Sequence, residues 1–510
     1  MNFNSTTRSR QQGQSRALAH SHHAPSRALA NQDQRSPLQL QENESVPSTD
    51  REISVADVQY ELLAHGLGYM DEFTDQQKVL LANWGFKTNT ATGWSMVVKD
   101  EESGFFAGLL LPNQYSNSPA PSPVLVFRGT QEMADWTKSN TDPYAVGYTS
   151  LICQYGAIQS MIDLAGGHVV MTGHSLGGSL AKQAALAFPG SASSVYTYQA
   201  PGVSSEQNGM NAGAPVVNHI AEGDIVHRAG GGRLQGQTHL HHPSEYRWVG
   251  GGNFTPPTRI NADRGVMSHS DYLLSGEAFA EQQQTITPEG WDWTQVLRTA
   301  ADNEEKSPVM TNQDMESFDQ SPIATSWHET GRRGLGNFFR FHASIINDAS
   351  DSNLRSIPFS HRLTLMRGVT SSSGAIQNAP TAMAVYKLIS TATSTEVKSL
   401  VNSVGFDRLL QISLVNPRLR TPMRSFLQNS YYPSLSVEEA VMLMSSRMSH
   451  QVLNSEFRQE MIRDILFTHS NPGAIISRLG SGNYNSGLNR ILRSVDFTED
   501  REIRRRFGNE

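Results

Sequence analysis

Short apolar runs alternate with helical patterns through the middle of this 510-residue chain. Each run begins with Val and is bounded by turn-forming residues, which is typical of a buried strand. Strands that alternate with helices pair into a mainly parallel sheet covered by helices on its faces. We therefore expect an α/β core. The predicted strands are 124–127, 169–172, 195–198 and 216–220, with helices at 154–164 and 179–188.

Composition divides the chain into four predicted parts. Residues 1–52 are rich in Ser, Gln, Asn, Arg and His, and we expect a disordered leader because little apolar surface is available to offset chain entropy. Residues 53–278 form the α/β domain, and residues 279–340 a polar or helical connector. Residues 341–510 read as a separate all-α region, in which two helix pairs, 383–410 and 461–492, are weakly similar.

Composition also excludes several classes of function. The single cysteine, Cys153, rules out a disulfide framework and a zinc site built from cysteines. A net charge of −7 makes nucleic acid an unsuitable main partner. No apolar run is long enough to cross a bilayer, and the first residues lack the apolar stretch of a secretory signal peptide. If the protein leaves its cell, we expect another route.

The segment that bears chemistry is Gly173-His174-Ser175-Leu176-Gly177, a G-x-S-x-G pattern between an apolar strand and a helix. A serine at such a tight strand-to-helix turn adopts a strained backbone that presents its hydroxyl above the sheet. The residues two before and two after it must be small to avoid collision. The pattern therefore predicts Ser175 as a nucleophile, with the helix N-terminus behind it facing a developing oxyanion.

A second element lies upstream, where the strand 124–127 ends in Arg128-Gly129-Thr130 and Asp135-Trp136 follows. Ligands of open α/β sheets bind at the carboxyl ends of the strands, which is where Thr130 lies. We expect Thr130 and the Leu176 N–H to supply the two oxyanion donors, although an ordinary strand-end turn is the alternative.

Together, FRGT, DW and GHSLGG in this order resemble the class 3 lipases of the α/β-hydrolase fold, a family that includes triacylglycerol lipases of filamentous fungi. The resemblance covers roughly residues 55–275. It implies an α/β-hydrolase core, ester hydrolysis, and an oxyanion role for the residue at Thr130.

A serine nucleophile requires a histidine base and a carboxylate that orients it, in the chain order Ser, Asp or Glu, His in this fold. Asp224 follows the strand 216–220 closely and is similar in setting to the family's D-x-V-P-R segment, with His227 in place of proline. The resemblance implies Asp224 as the triad carboxylate. Its rivals are Glu222, Asp263 and Asp271.

The base is chosen among several histidines. His269 comes late and is followed by Tyr272, as in the family, so the resemblance implies His269, with His242 as the alternative. His219 alternates within a strand and reads as a packed residue. The cluster of His239, His241 and His242 reads as a polar loop rather than a metal site, and we expect no metal and no cofactor.

These residues predict a serine esterase that cleaves lipid esters, as a phospholipase or an acylglycerol lipase. A delivered antibacterial or host-directed effector fits the leader and the helical region, with a lipid ester substrate, contact with a membrane surface, and a secretion or injection apparatus as partners. We expect secretion or translocation without a signal peptide, with the cytoplasm as the alternative. In the competing hypothesis the helical region is a binding or assembly module and the hydrolase core is secondary or inactive.

Overall fold

A nine-stranded mixed sheet forms the centre of the part of the chain that we describe from a computed structural model. All described residues lie in one compact unit, which spans 49–510. The structure describes residues 54–101, 103–114, 121–129, 142, 144–221, 224, 226–228, 232–241, 246–250, 257–261, 309–310, 343–370, 379–406, 408–409, 416–445 and 455–480.

The sheet has the strand order β1-β3-β4-β5-β6-β7-β8-β11, and β2 pairs with β3. Strands β4 to β8 pair in parallel with one another. Strand β3 is antiparallel to β1, β2 and β4, and β11 is antiparallel to β8. The strands are β1 (Phe86–Lys87), β2 (Met96–Asp100), β3 (Phe105–Pro112), β4 (Val124–Phe127), β5 (Val169–His174), β6 (Ala192–Tyr198), β7 (Val216–Ala221), β8 (Gln237–His241), the separate pair β9 (Tyr246–Gly250) and β10 (Pro257–Asn261), and β11 (Val309–Met310).

Both faces of the parallel part are covered, as expected for strands whose residues are apolar on both sides. Every residue of β4 and β5 is buried. On one face, Leu125 and Met171 pack with the helices that follow β4 and β5. On the other face, Val126 and Val170 pack against the helical segment that begins the described chain. The predicted fold class, a mainly parallel α/β core followed by an all-α region, is confirmed.

The N-terminal helices begin at caps that the sequence encodes. Ser54 caps α1 (Val55–Glu61) and Thr74 caps α2 (Asp75–Asn83), each in a capping box with the third residue of the helix. The chain continues beyond α1 in a π-helical turn, Leu62–Gly66, and a 3-10 turn, Leu67–Tyr69.

Among the described residues, three helices lie between β4 and β6. The chain adds α3 (Tyr148–Cys153), which the periodicity did not predict, directly before α4 (Tyr155–Leu164). Helix α5 (Leu176–Ala187) begins three residues earlier than expected, immediately after the serine of the G-x-S-x-G pattern. Glycines in its first turn had masked the helical signal, because glycine is a poor helix former.

The C-terminal region is helical, as predicted. It continues the apolar core of the first half, since Leu354 and Leu388 belong to the same buried cluster as Leu125. The two weakly similar helix pairs correspond to α8 with α9 and to α12 with α13. After a helical turn at 343–348, the helices are α6 (Asp351–Ser356), α7 (Phe359–Thr370), α8 (Ala379–Ser390), α9 (Ser394–Val404), α10 (Pro417–Phe426), α11 (Val437–Ser445), α12 (Ser455–Thr468) and α13 (Pro472–Gly480).

One predicted loop is a strand. His239 and His241 lie in β8, parallel to β7, and both are buried, so the polar-loop interpretation of these residues is wrong. The connector predicted at 279–340 contains the short strand β11, and the rest of it lies outside the described residues, as does the leader 1–52. No helix among the described residues is long and apolar enough to cross a bilayer.

Candidate active site

Ser175 occupies the turn between β5 and α5 with a backbone that non-glycine residues rarely adopt. Its φ is 57° and its ψ −130°. Such a conformation costs of the order of 1–3 kcal/mol and persists only where the surroundings enforce it. Here the Ser175 N–H donates to the Tyr198 carbonyl of β6 at 2.9 Å, and its carbonyl accepts from Gly178 at 3.0 Å. The sheet and the helix together hold the strained turn.

Glycines make this turn possible. A Cβ on Gly173 would lie 2.2 Å from the carbonyl carbon and oxygen of Gly177. A Cβ on Gly177 would lie 2.1 Å from the Phe127 carbonyl oxygen of β4. Both obstacles are backbone atoms, so a side chain at either position would displace the strand or the helix. The small residues on either side of Ser175 therefore have the steric reason that the motif predicts.

Of the two oxyanion donors predicted from the sequence, Leu176 lies among the described residues. Leu176 is the first residue of α5, where N–H groups have no acceptor within the helix, and its side chain is buried. Thr130 lies outside the described residues. The residue before it, Gly129, reaches the turn: a Cβ there would lie 2.7 Å from the His174 carbonyl oxygen. The chain preceding Thr130 thus contacts the residue preceding Ser175.

Asp224 follows β7 at the carboxyl edge of the sheet. Strand β7 pairs in parallel with β6, which pairs in parallel with β5, so the ends of all three meet at the edge where Ser175 lies. Asp224 is buried, with 2% of its surface exposed, and its Oδ1 accepts the Val226 N–H at 2.9 Å. A buried carboxylate at this edge suits the orienting role predicted for it.

The predicted base, His269, lies outside the described residues, and so do His242, Glu222, Asp263 and Asp271. The triad therefore stays a prediction. Within the described chain, His227 is buried in the 3-10 turn Val226–Arg228, three residues after Asp224.

His174, next to the nucleophile, points to the face opposite α5. Its Nδ1 lies 2.9 Å from the Tyr69 hydroxyl, and its ring meets the edge of His65 at a centroid distance of 4.1 Å. Burial raises the pKa of Tyr69 above its ordinary value, although Arg128 opposes the shift. The hydroxyl therefore keeps its proton and forms a hydrogen bond with Nδ1 whose direction depends on the tautomer of the His174 ring.

A row of buried histidines continues along the same face of the sheet, and sequence reasoning did not detect it. His219 Nε2 lies 3.3 Å from Asp57 Oδ1, and His219 Nδ1 lies 3.1 Å from His241 Nε2. Burial raises the pKa of Asp57, but the hydrogen bond and the charge of His219 outweigh it and hold this pKa far below its usual range. The expected packing of His219 within a strand is confirmed. The spacing of two between His239 and His241 was the available signal, because it places both on one face of a strand.

This cluster does not constitute a metal site. No group of three or more His, Cys, Asp or Glu in the described part of the chain has a geometry that would hold a metal ion.

Helix α5 is anchored by polar side chains that pass through the core. Ser179 Oγ donates to the Val146 carbonyl at 2.9 Å, and Lys182 Nζ donates to the Pro201 carbonyl. Lys182 is almost completely buried, and this burial, assisted by the charge of Arg233, lowers its pKa to about 7. The helix whose first turn follows Ser175 is thus fixed in its axial position on two sides.

The segment that contains Ser175 is similar to a known protein family: residues 85–228 match the Tle-like phospholipase domain. The matched segment includes Ser175 and Asp224 and ends before His269 and the helical region. It supports ester hydrolysis by a phospholipase-like domain. No curated protein is significantly similar to the chain in sequence.

Three solved structures are also similar to the chain. A fungal lipase in an inhibitor complex is 14% identical, aligns over 42% of this chain and 87% of its own, and has a TM-score of 0.27. Lipase II from Rhizopus niveus is 18% identical, with coverage of 37% and 82% and a TM-score of 0.24. The lipase of Rhizomucor miehei in a propeptide complex is 15% identical, with coverage of 42% and 74% and a TM-score of 0.25.

Proposed function

We propose that this chain is a serine hydrolase that cleaves carboxylic ester bonds of lipids, as a phospholipase or an acylglycerol lipase. The observation that carries the proposal is the strained backbone of Ser175 between β5 and α5, within the segment that matches a phospholipase-like domain. A serine held in this way has its hydroxyl directed out of the turn, where an ester carbonyl can approach it.

The proposed mechanism uses the predicted residues in fixed roles. His269 removes the proton of Ser175 as Oγ attacks the ester carbonyl, and Asp224 orients the imidazole and stabilises its cation. The N–H groups of Thr130 and Leu176 bind the tetrahedral oxyanion, where one donor contributes about 3–4 kcal/mol. His269 then protonates the leaving alcohol and activates the water that hydrolyses the acyl-enzyme.

Lipid vesicles test the activity directly. Wild-type protein is incubated with vesicles of bacterial lipid extract, and released fatty acids and lysolipids are identified by mass spectrometry. Ser175→Ala removes the nucleophile, and Ser160→Ala replaces an exposed serine on α4 as the matched control. We expect acyl products from wild type and Ser160→Ala only. Release of no acyl product from any lipid class by wild type would refute the lipid hydrolase and favour the binding-module alternative.

We also propose that the enzyme acts as a delivered effector, with residues 1–52 as the address segment. The polar composition of these residues supports this. Deletion of residues 1–52 should abolish export while hydrolysis by the purified protein is retained. Export of the deletion variant at the wild-type level would exclude this role of the segment.

A further inference from the structure

The C-terminal helical region rests on the helices that flank Ser175. On α7, His361 Nδ1 lies 2.8 Å from the Tyr148 hydroxyl at the start of α3, 213 positions earlier in the chain. The ring of His361 also lies 5.9 Å, centroid to centroid, from the ring of Tyr155 on α4. One side chain of the helical region therefore connects two helices of the α/β core.

Burial lowers the pKa of His361, and its interaction with the Ala187 backbone offsets the shift only in part, so the neutral imidazole is favoured. Burial raises the pKa of Tyr148 well above its ordinary value, so the hydroxyl keeps its proton. The neutral ring and the hydroxyl form one hydrogen bond across the 2.8 Å contact, and the tautomer of the ring sets its direction.

Close packing beside His361 fixes the position of the helical region. Asn353 Nδ2 donates to Gln154 Oε1 at 3.1 Å. A Cβ on Gly156 of α4 would lie 2.6 Å from Ser356 Oγ of α6, so these helices approach as closely as a glycine allows. Because interiors packed at this density transmit small displacements, a shift of α7 moves the helices it touches.

The opposite side of the α3 start contacts the first turn of α5. The Val146 carbonyl accepts the Ser179 hydroxyl at 2.9 Å. A Cβ on Gly147 would lie 3.0 Å from Leu176 Cδ1. The segment 146–148 is therefore held between the turn that contains Ser175 and the imidazole of His361. The helical region therefore connects to the predicted oxyanion donor Leu176 through His361 and the segment 146–148.

We propose that the C-terminal helical region positions the nucleophile, and that His361 is the positioning residue through which it acts. His361 holds the segment 146–148 against the first turn of α5. Turnover then depends on His361 although it touches no substrate. This inference rests on the proposed hydrolase function and extends it to a region outside the matched phospholipase-like segment.

Kinetics of full-length variants test the positioning role. His361→Ala should lower kcat by roughly 3- to 10-fold, the effect of one hydrogen bond, with KM within about 2-fold of wild type. His361→Gln should recover most of kcat, because an amide can form a hydrogen bond with the Tyr148 hydroxyl in either direction. His168→Ala, at an exposed position before β5, is the matched control and should leave kcat unchanged.

A double-mutant cycle separates energetic coupling between His361 and Tyr148 from a general loss of activity. Tyr148→Phe should lower kcat about as much as His361→Ala, and the double variant should be no worse than either single variant. Additive losses, an unchanged kcat in His361→Ala, or failure of His361→Gln to recover kcat would each overturn the proposal. If His361→Ala does not fold, Tyr148→Phe and His361→Gln carry the test, since both preserve the size of the side chain approximately.

A readout without activity tests the contact between the two regions. All seven tryptophans precede residue 328, so fluorescence follows the first part of the chain, whereas circular dichroism at the helical band includes the C-terminal helices. In urea the two signals should change at the same midpoint in wild type, because the regions share one apolar cluster. Separate midpoints would overturn the inference even in an active enzyme. Coincident midpoints in a wild-type protein that does not turn over ester would instead refute the proposed hydrolase activity and, with it, the positioning role of His361.

Discussion

Replacing Ser175 by glycine should stabilise the protein relative to replacing it by alanine. The φ of 57° and ψ of −130° at this position cost a residue with a Cβ about 1–3 kcal/mol. Glycine escapes that cost but loses about 0.5–1 kcal/mol more conformational entropy than alanine on folding. Ser175→Gly should therefore exceed Ser175→Ala by about 1 kcal/mol in free energy of unfolding, while neither variant hydrolyses ester.

Urea unfolding measures this difference. With a denaturant dependence of about 1–3 kcal/mol per M, 1 kcal/mol moves the midpoint by roughly 0.3–1 M. Ser160 on α4 supplies the matched pair, because glycine in a helix is about 1 kcal/mol worse than alanine. The sign of the glycine–alanine difference should reverse between the two positions. A Ser175→Gly midpoint at or below that of Ser175→Ala would refute the claim that the turn is strained.

Three further perturbations follow from the contacts of the core. Gly177→Ala should lower turnover of a p-nitrophenyl ester roughly 100-fold, because the new Cβ would collide with backbone atoms. Gly473→Ala places a Cβ in open space and should leave turnover unchanged. Equal activities of the two variants would contradict the steric account of the turn. Lys182→Met should raise the free energy of unfolding at pH 7 by a few kcal/mol. The folded pKa of Lys182, about 7, lies below its unfolded value, so the unfolded state binds more protons than the folded state between pH 7 and about 10. The free energy of unfolding of wild type should therefore rise over that pH range, and that of the variant should not. Parallel pH profiles of the two proteins would exclude a lowered pKa of Lys182. The Arg128 guanidinium lies 3.7 Å from the centroid of the Phe106 ring and donates to the Gly68 carbonyl at 2.9 Å. Arg128→Met should lower the free energy of unfolding by about 2–4 kcal/mol, and Arg128→Lys should recover little of that loss. Full recovery in Arg128→Lys, measured by urea unfolding, would show that charge alone matters.

The four central strands β4 to β7 could be predicted from the sequence, because the properties involved are local. Runs such as Val124–Phe127 and Val169–Thr172 are apolar on both faces, and a strand of this kind is stable only inside a covered parallel sheet. The turn at Ser175 was equally predictable, since the need for small neighbours arises within five residues. The caps Ser54 and Thr74 are local in the same sense.

Other features depended on residues far apart in the chain. The short helix α3 has weak local signals and is stabilised by its contacts with α5 and α7. His239 and His241 look like a polar loop in sequence, yet strand pairing with β7 places them in the buried row beside His219.

The amino-acid sequence determined the α/β core, the strained nucleophile turn and the helical character of the C-terminal region, because periodicity and short-range sterics act over a few residues. Only the tertiary structure decided that the two halves share one apolar core and that His361 reaches Tyr148. The physical reason is that side-chain contacts between distant segments depend on how helices and sheet pack in three dimensions, and neither hydrophobic pattern nor motif spacing encodes that arrangement.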